Sequence, residues 1–248
     1  MSAEPVASVA PGPAPARPPA LRAVPGGARV VPAGHLYGRL LAGAARHAGI
    51  GGPVPRGRLR RADGRIEPLP LDRWLAPADA VDTELLQRAD GAVLDIGCGP
   101  GRHVAALEQA GRPGLGIDSS PVAVEITRGR GADAMLGSVF DHVPGAGSWG
   151  TALLLDGNIG IGGRAAALLR RAREILAPGG SVLAELDPPG AWTGVARVRL
   201  EAPGVVSEWF PWAYVGADRA RDVAAQADLV HAWTLHAGGR WFAALRRP

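Results

Sequence analysis

The chain has a single cysteine, Cys98, no lysine and only two tyrosines among its 248 residues. A lone thiol excludes an internal disulfide, so packing and polar contacts must hold the fold. Histidines and carboxylates do not recur at metal-ligand spacings, and no metal site is expected. No apolar run approaches the roughly 18 residues that a membrane-spanning helix requires. The basic start and apolar core of a secretory signal are also missing, which points to a soluble, cytoplasmic protein. All 27 basic residues are arginine, set against 23 acidic ones for a net charge of +4. The one dense basic cluster, Arg56 to Arg61, reads as a solvated loop or a contact for an anionic substrate before it reads as a nucleic-acid patch.

Proline is unevenly spread, with eight of the 23 in the first 34 residues among Ala, Gly and Val. Such a stretch buries too little surface to fold, so residues 1–34 are expected to be disordered. The remainder, 35–248, suits one enzyme-sized α/β domain with an N-terminal helical cap.

The most informative stretch is Val93-Leu94-Asp95-Ile96 followed by glycines at Gly97, Gly99 and Gly101. An apolar strand entering alternating glycines lets the backbone turn sharply and lie flush against a ligand. A dinucleotide fingerprint, G-x-G-x-x-G, would need its third glycine at residue 102, which is Arg102. The next strand, Gly114 to Ile117, ends in Asp118, 17 residues after Gly101. A carboxylate at that place can accept hydrogen bonds from both ribose hydroxyls.

These two motifs in register resemble those of the class I S-adenosylmethionine-dependent methyltransferases. The resemblance implies S-adenosyl-L-methionine as cofactor and a Rossmann-like, seven-stranded, mostly parallel sheet with an antiparallel C-terminal hairpin and helices on both faces. It further implies that Asp95 and the turn Gly97, Cys98, Gly99 and Gly101 face the methionyl part, and that Asp118, with Ser119 beside it, meets the ribose. Where the family usually has an adenine-binding Asp, this chain has Gly137-Ser138-Val139-Phe140. There the Ser138 hydroxyl or Asp141 would substitute, and the Val139 amide could reach a ring nitrogen. Cys98 itself reads as a small packing residue.

Periodicity fills in the rest. Helices are expected over 36–48, 79–88, from Pro121 behind a Ser120 cap, and over 164–176; strands are expected at 92–96, 134–136, 151–155 and 181–186. His231 to His236 and Trp241 to Leu245 make a terminal hairpin. Residues 191–216 hold five of the 12 aromatics and read as an aromatic-rich insertion whose hairpin covers the sheet end. Arg73-Trp74 could close the cofactor site from the other side.

Ligands gather at the carboxyl ends of parallel strands, which directs attention to Leu155-Asp156-Gly157-Asn158. Asp156 suits a general base or a group that orients a nucleophile, and Asn158 suits a substrate polar group. Asp187-Pro188-Pro189-Gly190 resembles the Asp-Pro-Pro-aromatic motif of amine-methylating nucleic-acid enzymes, but it follows the wrong strand and ends in glycine. A rigid turn is the better reading. His35, His103 and His142 are candidate bases that spacing does not single out, and each is expected at the surface or in packing. The leading expectation is methyl transfer to a small-molecule acceptor. A cofactor-binding regulatory protein of the same fold is the alternative, and a nicotinamide-dependent oxidoreductase is disfavoured by Arg102.

Overall fold

The computed structural model describes residues 27–48 and 56–248. In chain order the elements are β1 (Arg29–Val31), α1 (Ala33–Ala48), β2 (Arg58–Arg61), β3 (Ile66–Pro68), α2 (Leu71–Leu75), α3 (Ala80–Gln87), β4 (Val93–Ile96), α4 (Arg102–Gln109), β5 (Gly114–Asp118) and α5 (Pro121–Gly129). Then come β6 (Ala134–Leu136), β7 (Trp149–Leu154), α6 (Ala165–Ile175), β8 (Leu176–Leu186), β9 (Gly194–Ala202), β10 (Val205–Ser207), β11 (Phe210–Tyr214), α7 (Ala220–Ala225), β12 (Val230–Ala237) and β13 (Arg240–Arg246).

Seven strands form one sheet in the order β12-β13-β8-β7-β4-β5-β6. β4 to β8 run parallel, while β13 is antiparallel to β8 and to β12. The continuous apolar runs follow from burial on both faces. Leu94, Ile96, Ala152, Leu154, Val182 and Ala184 pack with Leu168, Leu169, Ala172 and Ile175 of α6. Their neighbours of opposite parity, Val93, Leu153, Leu155 and Leu183, pack with Leu85 and Leu86 of α3 and Leu107 of α4. Caps fix the helix starts. The Asp79 side chain accepts from the Asp82 amide in a capping box, and Ser120 caps α5 ahead of Pro121. Gly150 is required by contact: a Cβ there would lie 2.3 Å from the Asp90 carbonyl oxygen.

A second, six-stranded sheet was not legible in the sequence. Its order is β1-β10-β9-β2-β3, with β11 on the first half of β9. β9 and β10 form the hairpin around Gly204, and β2 pairs with β9 through Arg58↔Glu201 to Arg61↔Val198. Residues 29–31, expected to be disordered, instead lie parallel to Val205–Ser207 as β1, because Val31 fills the core formed by α1 and the second sheet. The rest of the Pro-rich segment, 1–26, and the glycines 49 and 51 at the end of α1 lie outside the described residues. Of the basic cluster, expected as a solvated loop or a contact for an anionic substrate, Arg58–Arg61 form strand β2. Arg60 pairs with Glu201 at 2.7 Å, and Arg61 pairs with Asp63 at 3.0 Å while its guanidinium lies over the rings of Trp192 and Tyr214. Among the described residues no helix is long and apolar enough to cross a membrane.

Candidate active site

Gly97, Gly99 and Gly101 have φ of 72°, 53° and 77°, a region L side chains rarely adopt. The amides of Gly97 and Cys98 donate to the Ile117 carbonyl at 2.8 and 3.2 Å. One carboxylate oxygen of Asp118 accepts from the Gly99 amide at 2.9 Å, the other from the Ser120 amide at 2.8 Å. Asp118 therefore locks the turn at the end of β5 as well as facing the space above it. Burial raises its carboxyl above the usual carboxylate range, and the amides of Ser120 and Gly99 hold that rise in check.

Above the turn lies a cavity of about 560 Å³, within the roughly 300–1,000 Å³ of small-molecule sites. Gly97, Cys98, Gly99, Asp118, Ser119, Ser138, Val139, Asp156 and Asn158 line the part at the strand ends of the first sheet, the near lobe, and residues of the second sheet line the rest, the far lobe. Tyr37 of α1 and Arg73 and Trp74 of α2 close the near side, the two rings meeting edge-on at 6.1 Å. Leu59, Leu200, Phe210, Trp212 and Tyr214 of the second sheet roof the far lobe. Trp212 is seated on the 3₁₀ segment Asn158–Gly163, where a Cβ at Gly160 would lie 2.2 Å from its indole nitrogen.

Two expected residues do not reach this cavity. Gly101 caps α4 and lets it approach α5, since a Cβ there would lie 2.4 Å from Thr127. Asp95 has the opposite strand parity to Leu94 and Ile96 and points away, 3.4 Å from His103 Nδ1. Cys98 lines the cavity by its backbone turn. Its thiol, raised by burial, packs so closely on Gly116 that a Cβ there would lie 2.6 Å from the sulfur. Ser138 Oγ accepts from the Phe140 amide at 3.2 Å, and Asp141 is exposed outside the lining.

The end of β7 is held by charge. Asp156 has φ 54°, unusual for a residue with a side chain. Both of its oxygens accept from Arg102 Nη2, at 3.1 and 2.9 Å, and its amide donates to Glu185 at 2.8 Å. Arg102, 3% exposed, also pairs with the fully buried Asp82. Arg240, at the start of β13, bonds Asp82 at 2.7 Å and both oxygens of Glu185 at 2.8 and 2.7 Å. Asp156 is thus a fixed wall of the site, with both oxygens already engaged by Arg102. Asn158 is likewise committed, its amide nitrogen donating to the carbonyls of Ile96 and Gly97 at 3.0 and 2.9 Å.

His103 completes this network and is the residue that spacing did not single out. It is buried between Asp82, at 3.6 Å, and Asp95. With Arg73, 3.5 Å from Asp156, the cluster holds four carboxylates and three guanidiniums, so it is neutral when His103 carries a proton. Burial opposes that charge, but the flanking carboxylates prevail and raise His103 to about 9. His35 and His142 are exposed. Asp187, read as part of a rigid turn, also lines the far lobe.

Residues 93–180 match the methyltransferase domain family. Among solved structures, an S-adenosylmethionine-dependent methyltransferase from Bacteroides fragilis, crystallised with S-adenosylhomocysteine, is similar over 88% of this chain and 98% of its own, at 23% identity and TM-score 0.71. The 1,6-didemethyltoxoflavin-N1-methyltransferase of Burkholderia thailandensis follows at 15% identity and TM-score 0.53, covering 71% and 81%, and the CcbJ methyltransferase of Streptomyces caelestis at 17% and 0.52, covering 70% and 91%. No curated protein matches the chain. The matched residues carry the glycine turn, Asp118 and the end of β7, and the sheet around them, closed by the reversed strand β13, has the fold of the S-adenosylmethionine-dependent methyltransferases.

Proposed function

We propose that this enzyme transfers the methyl group of S-adenosylmethionine to a small-molecule acceptor bound under the second sheet. The observation that carries the reading is the convergence of the positive-φ turn, Asp118 and Ser119 on one lobe of a single cavity whose other lobe is apolar and aromatic. The residues fit the cofactor. A Cβ at Gly97 would lie 2.9 Å from the Asn158 amide and one at Gly99 would lie 3.1 Å from Tyr37 Oη, so glycine at both positions lets these two cavity-lining side chains close on the turn. Trp74 Nε1 is buried without a partner beside it and is available as a donor.

In this reading Gly97 to Gly99 hold the methionyl part, Asp118 and Ser119 the ribose, and Ser138 and Val139 the adenine. Asp156 and Asn158 are walls of the cavity, positioned by Arg102 and by the Ile96 and Gly97 carbonyls. When bound, the cofactor supplies a methyl group already activated by a positive sulfur. The protein's part is then to align the acceptor and exclude water, an orientation contribution that can reach roughly 7–11 kcal/mol. Incubation with methyl-labelled S-adenosylmethionine and a cell extract separated by size tests the acceptor class. Label in the small-molecule fraction supports it, and label confined to protein or nucleic acid refutes it.

A further inference from the structure

The far lobe has walls of Leu59, Leu200, Phe210 and Trp212, and two carboxylates, Glu67 of β3 and Asp187 after β8, face it together with Tyr214. The other acidic groups of the cavity are compensated: Asp156 by Arg102, Glu185 by Arg240, and Asp118 by two backbone amides. Among the described residues Glu67 and Asp187 have no ion-pair partner within 4 Å. Nearby Arg61 does not line the lobe, since it pairs with Asp63 and stacks on Trp192 and Tyr214. Arg73, the other guanidinium of the wall besides Arg102, is turned to Asp156. The Tyr214 hydroxyl oxygen is buried without a partner, a vacancy that a ligand's donor or acceptor would fill.

From this we infer that the methyl acceptor is an amine on an apolar, flat body, received by Asp187 and Glu67, and that carboxylate acceptors are repelled. The inference rests on the methyltransferase reading above. An alkylammonium group would give its hydrogens to two carboxylates that have no ion-pair partner in a partly desolvated lobe, whereas an acid would add a third negative charge. Asp187 is also placed to take the proton that an ammonium must lose before it can react. Burial raises its carboxyl and Glu67 adds to the rise, while the Val215 amide and the charges of Arg61 and Arg65 hold it in check. The step balances: one proton passes from nitrogen to the Asp187 carboxylate, and the freed lone pair forms the new N–C bond. The bond from that carbon to sulfur breaks with its electrons left on sulfur, and the proton leaves Asp187 for water.

The test is calorimetry on the full chain saturated with S-adenosylhomocysteine, using three matched probes: 2-naphthylmethylamine, 2-naphthylmethanol and 2-naphthoate. The amine is expected to bind at least about tenfold more tightly than the alcohol, with the acid silent. Asp187→Asn is expected to remove most of that preference without changing S-adenosylhomocysteine affinity, and Glu67→Gln, on a separate strand, to reduce it independently if the first variant fails to fold. Tighter binding of the acid, silence of all three probes, or an undiminished amine preference in both variants would overturn the inference. So would an equal loss of S-adenosylhomocysteine binding, because the carboxylates would then serve the cofactor. Failure of S-adenosylhomocysteine to bind the unaltered chain would instead refute the methyltransferase reading itself.

Discussion

Asp118 shows how one side chain serves both fold and site. Its carboxylate pins the Gly99 and Ser120 amides, and it faces the lobe where a ribose would lie. Asp118→Ala is expected to weaken S-adenosylmethionine binding by about 10- to 100-fold, since charge-assisted hydrogen bonds contribute roughly 1.5–3 kcal/mol each before compensation. Titration calorimetry would measure this, and unchanged affinity would remove the ribose role. Gly101 is the contrasting case, a motif glycine needed for helix packing. Gly101→Ala places a side chain at φ 77° and 2.4 Å from Thr127. The backbone alone should cost about 1–3 kcal/mol, read as a lower denaturation midpoint, while the folded fraction keeps its cofactor affinity.

At the scale of elements, the buried ionic network joins α3, α4 and the ends of β7, β8 and β13. Asp82 is its centre, held far below the usual carboxylate range by His103 and Arg240 despite full burial. Asp82→Ala strands two buried guanidiniums, and chemical denaturation should show a loss of about 3–5 kcal/mol. His103 gives the network a pH dependence. Its folded pKa of about 9 lies above the ordinary 6.5, so its contribution is complete below pH 6.5 and is lost as pH rises through about 9. Melting temperature should fall across that window, and His103→Gln should flatten the slope. An equally steep fall in the variant would show that other groups cause it.

Across the whole molecule, the roof sheet distinguishes this chain from a bare cofactor domain. Gly160→Ala would push Trp212 off the 3₁₀ segment, with a Cβ 2.2 Å from its indole nitrogen. Acceptor KM should rise while S-adenosylhomocysteine affinity stays the same; a change in the latter alone would contradict the division into lobes. The parallel sheet was legible because burial on both faces writes continuous apolar runs, as at Leu153 to Leu155. The roof was not, because β1, β2 and β3 are only three or four residues long, and β1 and β2 pair with strands more than a hundred residues away. Within the site, Gly97, Gly99 and Asp118 were legible from spacing. Asp95 lies off the cavity because strand parity turns it to His103, and the setting of Asp156 was hidden because its arginine partners come from α4, α2 and, more distantly, β13. Asp187 was discounted on motif order and on the glycine that ends the motif, although its place at the carboxyl end of β8 pointed to the cavity.

The central claim is that the glycine turn and Asp118 bind an adenosyl cofactor, and calorimetry of the purified chain with S-adenosylmethionine, S-adenosylhomocysteine and NAD tests it most directly. Micromolar binding of both adenosyl ligands with NAD silent is the expected result. Binding of NAD, or heat from none of the three, would contradict the account.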